Sequence, residues 1–169
     1  MAYTFVDSRI MPKQSIASIV STTAAVPLGT IVRAKDPTLG EGEFIYLPST
    51  ASVTVGNIVS YRQSASGTYT NVRTPSGASS GSPIAVAMAT GQATTFGWFQ
   101  ISGTAPVLKT AVIVSANKPM YVSTTAGRVR QIASTGRGIL GMVSSNTAAV
   151  ASATSTVTVT FNRPVQISS

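Results

Sequence analysis

The sequence predicts an all-β protein, and three observations carry that prediction. Apolar residues recur with period two along most of the chain, as they do on the buried face of a strand. The runs are short, rich in Val, Ile, Tyr and Phe, and separated by Gly, Pro, Ser and Asn, the residues that turn a chain. No window presents a helical apolar face with capping residues at its ends.

The elements follow in order. Phe44-Ile45-Tyr46-Leu47 is entered from Gly42 and stopped at Pro48. Asn57 to Arg62 follows Gly56, and Thr68 to Arg73 follows Gly67 and ends before Pro75. Ile84 to Met88 follows Pro83. Then come Phe96 to Ile101, Val112 to Val114, Met120 to Ser123, Arg128 to Ile132, Ile139 to Val143 and Val157 to Phe161. Strands this short at this spacing suggest a small β-sandwich or barrel of short antiparallel strands. Ser/Thr-rich loops such as Gly77 to Gly81 connect them; Asn146 to Thr154 is Ala-rich and has room for one helical turn, without apolar periodicity.

Two strand series echo each other, one over about residues 42–90 and one over about 96–145, matching in order and character more than in identity. One arrangement is two similar β units folded together, with Val157 to Phe161 closing the sheet. They form a β domain over residues 29–169, preceded by an extended N-terminal arm over residues 1–28. The arm carries anchors without a regular period: Tyr3, Phe5, Ile10, Met11, Ile16 and Ile19, with the cations Arg9 and Lys13 among them. It reads either as a segment that crosses onto a neighbouring subunit or as a first strand and surface connection within one domain. On the first reading, Tyr3, Phe5, Arg9, Ile10, Met11, Lys13, Ile16 and Ile19 bind a partner.

At 169 residues the chain supports one domain with its own core. Hydrophobic residues make up 43% and charged residues only 9%, well under the usual quarter, and Ser and Thr fill about a quarter in their place. They alternate with Val, Ile and Tyr, so the chain is expected to fold. No stretch has signal-peptide quality or approaches the ~18 consecutive apolar residues of a membrane helix, so synthesis in a cytoplasm and no membrane partner are expected.

The net charge of +8 is uneven. All four acids (Asp7, Asp36, Glu41 and Glu43) precede residue 44, balanced there by Arg9, Lys13, Arg33 and Lys35. From Phe44 onward there is no acidic side chain. Such a body is attracted to acidic surfaces of any kind, or the charge serves solubility. Lys118, Arg128, Arg130 and Arg137 lie close in sequence near Tyr121, with Arg128 and Arg130 on one face of an expected strand. This basic face reads as a solvated face or as one that docks on an acidic protein partner; single-stranded nucleic acid, bound by stacking and phosphate contact, is the less favoured reading.

The chain has no His and no Cys, which removes the commonest general base, the thiolate nucleophile and the usual transition-metal ligands. No enzyme, metal or cofactor is expected. The loop from Asp36 to Glu43 holds three acids that could hold a hard cation, but its spacing is not that of an EF-hand, and a solvated loop or salt bridges to Arg33 and Lys35 are the better account. Gly136-Arg137-Gly138-Ile139-Leu140-Gly141 comes near the spacing of a dinucleotide fingerprint without the helix that must follow, and reads as a turn into a strand.

Three segments together resemble the small head-decoration, or cement, proteins of tailed bacteriophages. They are Ala25 to Ala34 running into Gly42 to Leu47, then Gly97-Trp98-Phe99-Gln100-Ile101-Ser102-Gly103, then Gly138 to Val143 ahead of a terminal Thr/Val strand. The resemblance implies a virion protein present in many copies on the outer capsid. Its partners would be the major capsid protein and neighbouring copies of itself, in a homotrimer, with no small-molecule substrate. A tail or fibre-associated module that recognises a host surface ligand is the alternative, with Tyr46, Tyr61, Tyr69 and Trp98 as its aromatic cluster. A basic nucleic-acid-binding β domain is more remote.

Overall fold

The computed structural model describes residues 3–6, 14–17, 21–49, 52–67, 69–73, 75–78, 81–91 and 93–167. Among them there is no α-helix, so the all-β class holds and the Asn146 to Thr154 segment forms turns instead of a helical turn. The strands are β1 (Thr4–Phe5), β2 (Ile31–Asp36), β3 (Gly40–Ser49), β4 (Ile58–Gln63), β5 (Tyr69–Arg73), β6 (Ser82–Ala87), β7 (Thr95–Leu108), β8 (Pro119–Val122), β9 (Val129–Arg130), β10 (Gly138–Ser144) and β11 (Thr156–Ile167). They join in one sheet of order β1-β2-β3-β5-β4-β6-β7-β11-β10-β8-β9. Strand pairing is antiparallel except between β3 and β5. Alternation drives each strand: in β11, Val157, Val159 and Phe161 are buried while Thr156 and Thr160 face out.

The sheet curls into two rings that share β7. An extra pairing of β3 with β7 closes the first ring, β3-β5-β4-β6-β7. A parallel bridge from Lys109, just past β7, to Val129 in β9 closes the second, β7-β11-β10-β8-β9. The first ring encloses Ile45, Leu47, Val59, Ala85, Ala87, Phe99 and Ile101. The second core is larger and includes Val107, Met120, Val122, Val129, Met142, Val159 and Phe161. Strands β4 and β6 serve both, because successive side chains point to opposite faces: Val59 and Ala85 face one core, Ile58 and Ile84 the other.

The two rings repeat one path. A long strand runs into a one-residue bridge, then a hairpin, a return strand and a second bridge before the next long strand. Val53 bridges Gly91 in the first pass and Val114 bridges Val150 in the second. Left-handed turn residues recur in step, Gly56, Gly67 and Gly81 against Asn117, Gly127 and Gly136. Val112 to Val114, expected as a strand, is only this bridge: Val114 exchanges backbone hydrogen bonds with Val150, while the Val112 N–H donates to the Thr110 carbonyl.

Three strands outrun their expected ends. Ser102-Gly103 and Pro106 look like strand breakers, yet β7 continues to Leu108 because Thr104 to Leu108 gain a new partner in β11. Gly103 marks the change, at a φ of 111°. A Cβ there would sit 2.6 Å from the Glu41 carbonyl oxygen, so only glycine lets β3 and β7 cross this closely. Strand β11 likewise passes through Pro164, which lies in a bulge opposite Gly141, where no ladder bond is required of it. Pro48 does not end β3 either, since it pairs with Phe96, whose backbone bonds go instead to Ser21.

The described part of the N-terminal segment lies on its own domain. β1 pairs with Ala34 and Lys35 of β2. Tyr3 meets Phe44 edge-on with centroids 5.0 Å apart, Phe5 lies 6.4 Å from Trp98, and Ile16 is fully buried. These three anchors join Val32, Tyr46 and Trp98 in a third apolar cluster. Arg9, Ile10, Met11, Lys13 and Ile19 lie outside the described residues.

Candidate docking surface

The outer face of the second ring is built from cross-strand rows, read from the register. One row runs Arg130, Tyr121, Gly138, Ile167 across β9, β8, β10 and β11. Beside it Leu140 faces Val165. A further row runs Pro119, Val143, Thr160, Thr104 across β8, β10, β11 and β7, with the Thr104 and Thr160 hydroxyls 3.2 Å apart. β10 carries apolar residues at consecutive positions, so it buries Ile139 and Met142 and exposes Leu140 (64%) and Val143 (43%). Gly138 contributes no side chain between Tyr121 and Ile167, and a hollow of about 160 Å³ results, lined also by Pro119 and Leu140. Apart from Arg130, these rows carry no charge. An uncharged threonine and aliphatic surface loses little free energy when it is stripped of water.

The four cations of the expected basic face divide. Lys118 is exposed at the start of β8, and Arg130 is half-buried at the end of the first row. About 10 Å of strand separates Lys118 from Tyr121 at ~3.3 Å per residue. Arg128 and Arg137 turn inward to backbone. Arg128 donates to the Lys109 carbonyl at 3.1 Å, and Arg137 donates to the carbonyls of Ser76 and Ser123 at 2.8 and 3.1 Å. Their guanidinium groups staple loops together, and the shared basic face reduces to Lys118 and Arg130. Arg130 Nε is buried with no hydrogen-bond partner among the described residues.

Several other charged groups are engaged within the fold. Lys109, 1% exposed, donates from Nζ to the carbonyls of Val112 at 2.8 Å and of Thr110 and Ser152 at 3.3 Å each. Burial holds its pKa below the ordinary lysine value. In the acidic loop Glu41 meets the expected Arg33 at 2.9 Å, whereas Glu43 meets Arg163, distant in sequence, at 3.1 Å. Asp36 Oδ1 accepts the N–H groups of Thr38 and Leu39, closing the β2–β3 turn. These pairs line a polar cleft of about 240 Å³ with Ser102 and Asn162. Among the described residues, no group of three or more His, Cys, Asp or Glu side chains gathers as metal ligands would.

Sequence reasoning missed two features. Gln14 ties the N-terminal segment to the barrel, accepting from Tyr46 Oη at 2.8 Å through Oε1 and from Trp98 Nε1 at 3.2 Å through its carbonyl. Nothing local marks it. The hollow did leave a signal, since Ile139-Leu140-Gly141-Met142-Val143 is apolar on both faces, more than one core requires. The chain matches no protein-family model, no curated protein and no solved structure.

Proposed function

We propose that this chain is a structural, non-catalytic virion protein that binds the outer surface of a phage capsid and stabilises the shell. It is made in the host cytoplasm and joins the particle as a homotrimer, contacting the major capsid protein. The observation that carries this reading is the uncharged threonine and aliphatic face of the second ring, which leaves Leu140 and Val143 in water in the single chain. Contiguous apolar surface of this kind marks interaction sites. The resemblance of the Gly97 to Gly103 and Gly138 to Val143 segments to decoration proteins adds to it: the first supplies the crossing at Gly103, the second the exposed strand β10.

The alternative, an aromatic ligand site on a tail or fibre module, is less well supported. Tyr46 and Trp98 are fully buried, which leaves only Tyr61 and Tyr69, packed on each other with centroids 6.3 Å apart. A nucleic-acid site loses two of its four cations to internal carbonyls.

Copy number in purified particles, measured by gel densitometry against the major shell protein, tests the reading. Hundreds of copies in a simple ratio to the shell protein are expected. A few to some tens would place the chain in the tail, and its absence from particles would end the structural reading.

A further inference from the structure

We infer that the hollow between Tyr121, Leu140 and Ile167 receives an aliphatic side chain from an acidic protein surface. The inference rests on the shell-binding reading and names the contact point and the chemistry of the partner. Gly138 leaves the floor of the hollow open, and the walls are the exposed Leu140 with Tyr121, Pro119 and Ile167. That shape takes a branched apolar side chain, the kind of anchor that sits at the centre of protein interfaces.

Charge selects which surface brings it. Lys118 adjoins Pro119 in sequence and Arg130 pairs with Tyr121, which sets two cations next to the walls of the hollow, and no acidic side chain occurs from residue 44 to residue 169 to repel an acidic partner. The described acids are engaged elsewhere: Asp36 in its turn, Glu41 and Glu43 with arginines. A second copy of this chain docked face to face would set Lys118 and Arg130 against the same cations, so self-association through this face is disfavoured. Nucleic acid needs stacking platforms, and only Tyr121 among the walls is aromatic. An apolar centre with an acidic rim on the partner matches an apolar hollow with a basic rim here.

The test is rebinding of the full chain to particles depleted of it, at low and high salt. Wild type is compared with Leu140→Asp, Leu140→Met and the double variant Lys118→Glu/Arg130→Glu. Flotation with phosphatidylglycerol vesicles and titration with a single-stranded oligonucleotide run alongside. Leu140 is largely in water, so its variants keep the wild-type urea midpoint. Expected are salt-sensitive rebinding of wild type, a loss of at least tenfold for Leu140→Asp and for the double variant, and near wild-type affinity for Leu140→Met. Undiminished rebinding of Leu140→Asp overturns the inference and leaves the shell reading intact. Wild type that ignores the depleted particles overturns the shell reading and the inference with it. Leu140-dependent binding to vesicles or the oligonucleotide without shell binding replaces both with a lipid or nucleic-acid site.

Discussion

The carbonyl of Gln14 accepts the indole N–H of Trp98 at 3.2 Å across 84 positions of sequence. The same residue takes the Tyr46 hydroxyl on its side-chain oxygen at 2.8 Å and donates through Nε2 to the Phe96 carbonyl at 3.3 Å. Among the described residues Trp98 and Tyr46 are the two largest fully buried side chains, and each carries a polar atom that burial would otherwise orphan. The N-terminal segment therefore completes the outer core of the first ring. Gln14→Ala leaves the Tyr46 hydroxyl without its acceptor, and a loss of about 1–3 kcal/mol in urea unfolding is expected. A loss under about 0.5 kcal/mol would show that water replaces the glutamine.

The same segment carries a pH dependence. Burial, with Asp36 nearby, pushes the Tyr3 hydroxyl up to about 12. The unfolded chain ionises this group near its ordinary value of 10.0, so the folded form holds the proton longer. Its contribution to stability is complete below pH 10 and is lost as pH rises toward 12. Burial raises Tyr61 as well, so the comparison is between wild type and Tyr3→Phe. The alkaline fall in melting temperature should be shallower in Tyr3→Phe; identical slopes would remove Tyr3 as its source.

Gly103 and Gly40 separate crowding from backbone conformation. Both have positive φ, 111° and 80°, but a Cβ on Gly40 meets nothing within 4 Å. Gly40→Ala is expected to cost about 1–2 kcal/mol for its left-handed backbone. Gly103→Ala meets the backbone of Glu41 and Gly42, which cannot rotate away, and should cost more than about 3 kcal/mol or prevent folding. Equal losses in thermal unfolding would mean that the β3–β7 crossing yields.

Lys109 anchors the closure of the second ring, where three carbonyls converge on its ammonium. Lys109→Met fills similar space and removes the donor. About 1–3 kcal/mol of destabilisation follows if the unpaired carbonyls outweigh relief from burying charge, and this is the expected sign. Increased stability in chemical denaturation would reverse that balance.

Arg137 and Lys118 should behave as opposites. Arg137→Ala cuts the staple between Ser76 and Ser123, with an expected loss of about 1–2 kcal/mol in stability. Lys118→Ala changes an exposed side chain and should stay within about 0.5 kcal/mol of wild type. On depleted particles the order reverses, Lys118→Ala weakening rebinding at low salt more than Arg137→Ala does.

The strand character of this chain was legible in its residues because alternation is a local pattern. Val157, Val159 and Phe161 announce an inward face whatever they pack against, and the missing His and Cys restrict its chemistry before any fold is known. Turn residues are local signals too: Gly56 and Gly67 in the first ring, and Asn117 and Gly127 in the second, all take positive φ. Contacts distant in sequence were decided only by tertiary structure. Gly103 and Pro106 are breakers by local chemistry, and β7 crosses them because β3 and then β11 supply hydrogen bonds along its length. Arg128 and Arg137 look like surface charge until the loops at Lys109, Ser76 and Ser123 arrive beside them. Leu140 and Gln14 make the converse pair. Leu140 stays in water because it lies on the outer face of β10, and Gln14 is buried because Tyr46, Phe96 and Trp98 bring partners for its polar atoms.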